Sequence, residues 1–226
     1  MSEKKVTSLV WFRNNLRVID NLSLKKSIEN SDKVIGFINI DPNINSTTIY
    51  GFKKTEKFRI KFLLESISDL KKQLKKINVS LVVLNEDLKS SINSVIRKYE
   101  IDNIYIQKEW TRDELIEEEC IPSDINLIKD FDQFLFSPSG VSEIYENIPR
   151  GFSNFRKKCE KYLSIDDIIP TPKPLNKNNL IKEEYSIPSI SDLGYEEFEV
   201  HNDSTFKFLG GESHGVNRVN EYFFES

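Results

Sequence analysis

The chain has 226 residues, of which 38% are hydrophobic and 30% charged, with a formal net charge of −4. That length and composition suit one sizeable α/β domain plus an extension. They argue against a whole-surface nucleic-acid binder, which would be basic, and no run approaches the roughly 20 apolar residues of a membrane span.

Taken in chain order, the first half alternates strands with helices. Val6 to Phe12 is a short apolar run, as expected of a strand buried on both faces. Asp20 is placed to cap a helix through Leu22, Leu24 and Ile28, and Lys33 to Ile40 reads as the second strand, stopped by Asp41-Pro42. Thr55 to Ile77 predicts the clearest helix, with Phe58, Phe62, Ile67, Leu70, Leu74 and Ile77 recurring at helical spacing. Lys71, Lys72, Lys75 and Lys76 then form its solvated face. Leu81 to Leu84 is a third strand. Asp87 caps a helix carrying Leu88, Ile92, Val95, Ile96 and Tyr99, and Ile104 to Ile106 is a fourth strand. Thr111-Arg112-Asp113-Glu114 has the spacing of a capping box, opening a helix to about Cys120. Asn126 to Lys129 is a weaker fifth strand.

This alternation predicts a Rossmann-like α/β fold: a five-stranded parallel sheet with helices on both faces. It is followed by a long irregular connector and a terminal helix. Ile169 to Pro188 is proline- and asparagine-rich, a linker or surface-wrapping segment. Gly210-Gly211 permits a tight turn before a helix over Ser213 to Phe224. The closing aromatics Tyr222, Phe223 and Phe224 either await a partner surface or pack back on their own domain.

In open parallel sheets, ligands bind off the carboxyl ends of the strands near the switch in strand order. That rule selects Phe12 to Asn15, Asp41, Asn85 to Asp87, and Gln107 to Glu109. The turn after the first strand, Phe12-Arg13-Asn14-Asn15-Leu16-Arg17, contains no glycine, so neither a dinucleotide fingerprint nor a P-loop is present. A ligand there would meet side chains. Arg13 and Arg17 either hold an anion or a neighbouring domain, or pair with Asp20. Glu109 either accepts two N–H bonds from a pterin or purine edge or is a loop acid favoured by the following helix dipole. His201 and His214 have no second ligand nearby, which predicts no metal site. No Gly-x-Ser-x-Gly elbow supports a hydrolase, and no catalytic residue is assigned. Two isolated cysteines, Cys120 and Cys159, fit a reduced cytoplasmic protein, and Met1 to Lys5 does not read as the start of a signal peptide.

Trp11-Phe12-Arg13-Asn14-Asn15-Leu16-Arg17, followed by Asp20-Asn21, resembles the opening signature of DNA photolyases and cryptochromes, with Asn15 where the family usually has Asp. The resemblance continues through Arg59, Phe62 and Leu63, the strand at Val79 to Leu84, the acidic helix after Ile104 to Glu109, and Tyr145 to Lys157. Phe208-Leu209-Gly210-Gly211-Glu212 looks like the family's entry into its flavin domain and, with Gln107-Lys108-Glu109, leans toward the DASH-type cryptochromes. The resemblance implies an antenna-binding α/β domain over residues 1–135, an interdomain connector over 136–205, and the start of a helical FAD domain over 206–226. The rest of that domain, with its FAD, dimer-contacting and tryptophan-chain residues, would lie beyond Ser226, as though the chain were truncated. The parent activity would be blue-light-driven repair of pyrimidine dimers in DNA, mainly single-stranded, or blue-light sensing. The implied antenna is methenyltetrahydrofolate, with Glu109 as its main pterin contact and Glu143 as a further one. Phe12, Arg13, Asn14 and Asn15 would line the crevice that deazaflavin-type antennas occupy in other relatives. Two rival readings remain from the residues: a free-standing module that docks a helical partner, and an α/β protein that binds AMP or ATP.

Overall fold

The computed structural model describes residues 5–204 and 208–225. The boundary expected at 205/206 therefore falls outside the described residues, as do Met1 to Lys4 of the opening segment. Five strands, β1 (Thr7–Trp11), β2 (Lys33–Asn39), β3 (Ser80–Leu84), β4 (Asn103–Gln107) and β5 (Asn126–Asp130), form one sheet in the order β3-β2-β1-β4-β5. All four pairings are parallel.

Because side chains alternate along a strand, β1 feeds two cores. Val10 packs with Leu24 of α1 (Leu22–Glu29) and with Ile60, Ile67, Leu70 and Leu74 of α2 (Lys57–Lys76) on one face. Leu9 and Trp11 pack with Ile92 and Val95 of α3 (Leu88–Tyr99) on the other. The expected two-sided architecture is thus present.

Local details differ where one polar side chain decides. Asn21, not Asp20, caps α1: its Oδ1 accepts from Leu24 N at 2.9 Å. Asp20 sits in the left-handed region at φ 53 and instead exchanges two hydrogen bonds with the main chain of Ile169. Asp87 caps α3 as expected, accepting from Ser90 N at 2.9 Å. The capping box does not form: Thr111 makes no side-chain cap bond, and α4 spans only Arg112–Glu118. Phe58 and Phe62 of α2 are substantially exposed. Phe58 packs edge-on against Phe198 from the connector at 4.9 Å. Of the expected solvated face, Lys72, Lys75 and Lys76 are exposed, while Lys71 is half-buried and donates to the Tyr185 carbonyl.

The connector opens with two helices that the sequence periodicity did not predict, α5 (Pro138–Ile144) and α6 (Phe152–Tyr162). Beyond them it wraps the domain. Leu175, Ile187, Ile190, Leu193 and Tyr195 join the first core. The Tyr185 hydroxyl lies 2.8 Å from that of Tyr99 and accepts from Lys98 at 3.1 Å.

The chain returns to α2 before α7 (Glu212–Phe224). Gly210 N donates to Glu65 at 2.8 Å, and Ser213 donates to Asp69 through N at 2.9 Å and Oγ at 2.8 Å. Glu212 accepts from both Val18 N and Ile19 N at 2.9 Å. The glycines serve close approach as much as turning: a Cβ at Gly210 would lie 2.2 Å from the Phe62 carbonyl oxygen. Gly211 combines contact with Asp69 and φ +118.

Burial opposes the charge on Asp69, but the hydrogen bonds from Ser213 and Gln73 outweigh it and hold its carboxyl below the ordinary value. A carboxyl lowered in the folded state contributes stability that is present above its unfolded pKa, about 3.9, and is lost as pH falls through the folded value. Amide protection across the start of α7 should therefore fall below about pH 4. Hydrogen exchange measures it, and Asp69→Asn should flatten the pH dependence. An unchanged profile in that variant would exclude Asp69 as the titrating latch.

Candidate functional site

Strand order reverses at β1, which lies between β2 and β4. Off the carboxyl ends of β1 and β2 opens a crevice of about 770 Å³. Phe12, Leu63 and Ile67 contribute its apolar lining; Arg59 lines it from α2, and Glu114 and Glu117 from α4. The loop after β2 adds Asp41, whose carboxylate accepts from Lys54 at 2.9 Å.

Of the residues expected at a site, the crevice gathers Phe12, Arg13, Asn14, Asp41 and Asp87, whereas Asn15, Glu109 and Glu143 do not line it. Phe12 is buried as part of the first core. Arg13 is not a free anion binder. Its side chain is 6% exposed, and the guanidinium lies 3.0 Å from Glu118 and 4.0 Å from Glu117. It also donates to the carbonyls of Gln107 at 2.8 Å and Glu114 at 3.1 Å. Arg17 reaches Asp20 only through the main-chain oxygen, at 2.9 Å. Its carboxylate partner is Asp132 at 3.6 Å, not the residue at position 15. Asn15 is buried, and its Oδ1 accepts weakly from Arg13 N at 3.4 Å. Glu143 is exposed on α5.

Sequence reasoning missed the acids of α4 as individuals. The helix read only as acidic, with no partner assigned to Glu117 or Glu118. Helical geometry instead turns Glu118 inward to Arg13 and Lys129 and leaves Glu117 at the crevice. Burial raises the Glu117 carboxyl above its ordinary value, with Arg13 opposing.

Glu109 lies beyond β4, beside this crevice. Its Oε1 accepts from Gln107 Nε2 at 2.9 Å and from Asn14 Nδ2 at 3.3 Å. Two amide donors thus orient one carboxylate oxygen, while Oε2 receives no hydrogen bond from the described residues. A partly buried carboxylate fixed this way suits a ligand edge carrying N–H donors. Next to it, Trp110 stacks on Phe131, with centroids 5.3 Å apart and an interplanar angle of 23°.

The family model for DNA photolyase matches residues 8–175. The cryptochrome DASH of Gloeobacter violaceus is 31% identical over 230 residues, covering all of this chain and 45% of that protein. The chloroplastic/mitochondrial cryptochrome DASH of Arabidopsis thaliana is 28% identical, over 98% of this chain and 40% of its own length. The chain therefore spans less than half the length of these relatives. Among solved structures, a Synechocystis cryptochrome superposes with a TM-score of 0.83 at 27% identity, covering all of this chain and 47% of that one. A class III photolyase from Agrobacterium tumefaciens shares the fold with a TM-score of 0.76 at 19% identity.

Proposed function

The chain belongs to the DNA photolyase family, and from that membership we propose that it is the antenna-bearing α/β part of a cryptochrome DASH-like flavoprotein. Residues 1–135 serve as the antenna domain, 136–205 as the connector, and 206–226 as the first segment of a helical FAD domain. In the whole protein, light-excited reduced FAD in that helical domain would repair pyrimidine dimers, mainly in single-stranded DNA, or signal blue light. This part supplies the antenna site and the domain interface in the cytoplasm. Among the described residues, no helix is long and apolar enough to cross a membrane.

The orientation of Glu109 carries the proposal. Its carboxylate is held by Gln107 and Asn14 at the switch point, with one oxygen left for a pterin edge. The antenna that fits is methenyltetrahydrofolate, whose pterin presents adjacent N–H donors. Glu143, exposed on α5, is an outlying contact, and Phe12, Arg13 and Asn14 line the neighbouring crevice with Asn15 buried beside them.

The purified protein should take up methenyltetrahydrofolate and show its bound absorption band in the near ultraviolet. Glu109→Gln should weaken that binding about ten-fold, the magnitude of one charge-assisted hydrogen bond. A native chain that takes up no folate would remove the antenna assignment. The docking-module reading draws support from α7, where Tyr222, Phe223 and Phe224 are 62%, 67% and 79% exposed. Co-purification with a separate helical flavoprotein would favour it.

A further inference from the structure

Two stretches of the chain carry no acidic residue: residues 70–85, from the last turns of α2 through β3, and residues 169–182 of the connector. Together they hold seven lysines, in a chain whose net charge is −4. The fold joins them. Leu175 N donates to the Ile77 carbonyl at 3.0 Å, and Asn78 Nδ2 donates to the Leu175 carbonyl at 2.6 Å. Lys173 and Lys177, two residues to either side of Leu175, are thereby brought to the end of α2 that carries Lys72, Lys75 and Lys76. All five are exposed, and none makes an ion pair among the described residues. Lys76 donates to Gln73 Oε1 at 2.8 Å, a neutral partner.

The helix dipole accounts for lysines in the last turn of α2. It does not account for Lys173 and Lys177, which lie on a separate segment. No large hydrophobic side chain of either stretch is exposed. A protein interface would have an apolar centre, and a membrane-surface site would have apolar side chains to insert. A phosphate backbone needs cations alone, and lysine supplies them as point charges that read no base. We propose that this end of α2 and the connector laid on it form a contact surface for a nucleic-acid backbone, independent of sequence. α2 runs from Arg59 at the crevice to Lys76 at the surface, a separation of about 25 Å along the helix. The surface goes beyond the antenna reading and does not depend on it.

The test titrates a fluorescein-labelled oligothymidylate of about 20 nucleotides, longer than one binding site, with the full chain across a salt series. Each phosphate contact on a single strand contributes about 0.7 to the slope of log Kd on log salt, so five lysines predict a slope of about 3.5. Lys72→Gln with Lys75→Gln should lower the slope to about 2 and weaken binding about twenty-fold at about 0.1 M salt. Lys173→Gln with Lys177→Gln should do the same, because the connector is half of the surface. Lys89→Gln with Arg97→Gln removes equal charge from exposed positions of α3, on the other face of the sheet, and should leave the slope native. An equal loss in the α3 pair would reduce the effect to net charge and overturn the surface. So would a native slope in the connector pair, or no binding at the lowest salt. Capture by phosphatidylserine vesicles without binding of the oligonucleotide would also overturn it and assign the lysines to a membrane. Folate uptake should stay native in every variant, so its failure in the native chain sinks the antenna reading alone.

Discussion

Glu118→Ala should lower the unfolding free energy by about 3–5 kcal/mol, the range for removing one partner of a buried ion pair. Both sides of that pair are withdrawn from water, with Arg13 and Glu118 side chains each 6% exposed. Glu118 Oε1 receives Arg13 at 3.0 Å, and Oε2 receives Lys129 from β5. Without it, the guanidinium keeps two carbonyls and a carboxylate at 4.0 Å, which do not neutralise a buried cation as a direct contact does. The cost is mostly that of stranding Arg13. The double variant Arg13→Met with Glu118→Leu should therefore recover much of the loss, because apolar replacement of a whole buried pair is often near neutral. Denaturant melts of the two variants give the comparison. A loss below about 1 kcal/mol in Glu118→Ala would mean that water reaches the pair in solution.

The second large effect is expected at Asn179, far along the connector. β3 begins opposite Ile35, so the main chain of Val34 lacks a strand partner on that side. The Asn179 side chain completes the edge. Its Oδ1 accepts from Val34 N at 2.8 Å, and its Nδ2 donates to the carbonyls of Val34 at 2.9 Å and Asn78 at 2.7 Å. Asn179 is 6% exposed, so water cannot readily replace it. Asn179→Ala should cost about 2–4 kcal/mol, since several buried main-chain groups lose partners together. Asn179→Asp should be no better. It can still accept from Val34 N, but it sets a carboxylate against two carbonyl oxygens. Equilibrium unfolding, with amide exchange at Val34, checks both variants. A change within about 0.5 kcal/mol, the size of an ordinary surface substitution, would reduce the connector to a passive wrap.

The two effects share a cause that was hidden in the sequence. Arg13 and Glu118 are 105 residues apart, and Asn179 and Val34 are 145 apart. Pairing at that distance leaves no periodicity. The same holds for Trp110 and Phe131, which are neighbours only because β4 and β5 pair in parallel. The prolines of Ile169 to Pro188 read as a linker or a surface-wrapping segment, and the structure decides for wrapping. Its anchors were not legible, because Leu175, Tyr185, Leu193 and Tyr195 follow no helical or strand period. α6 escaped prediction for a related reason: within it only Cys159 is buried, so no apolar stripe marks it.

By itself the sequence determined the strand–helix order, the two-sided burial of the sheet, the Asp87 cap and the family. All of these follow from local patterns of apolar and capping residues, or from motifs met in order. Tertiary structure alone decided that Asn21 and not Asp20 caps α1. It also decided that Arg13 is a buried structural cation and that Glu109 is oriented with one oxygen free. A lone polar side chain has several partners within reach in sequence. Which one it takes depends on the strand ends brought beside it, and the free energy of leaving it unpaired in the interior enforces the choice.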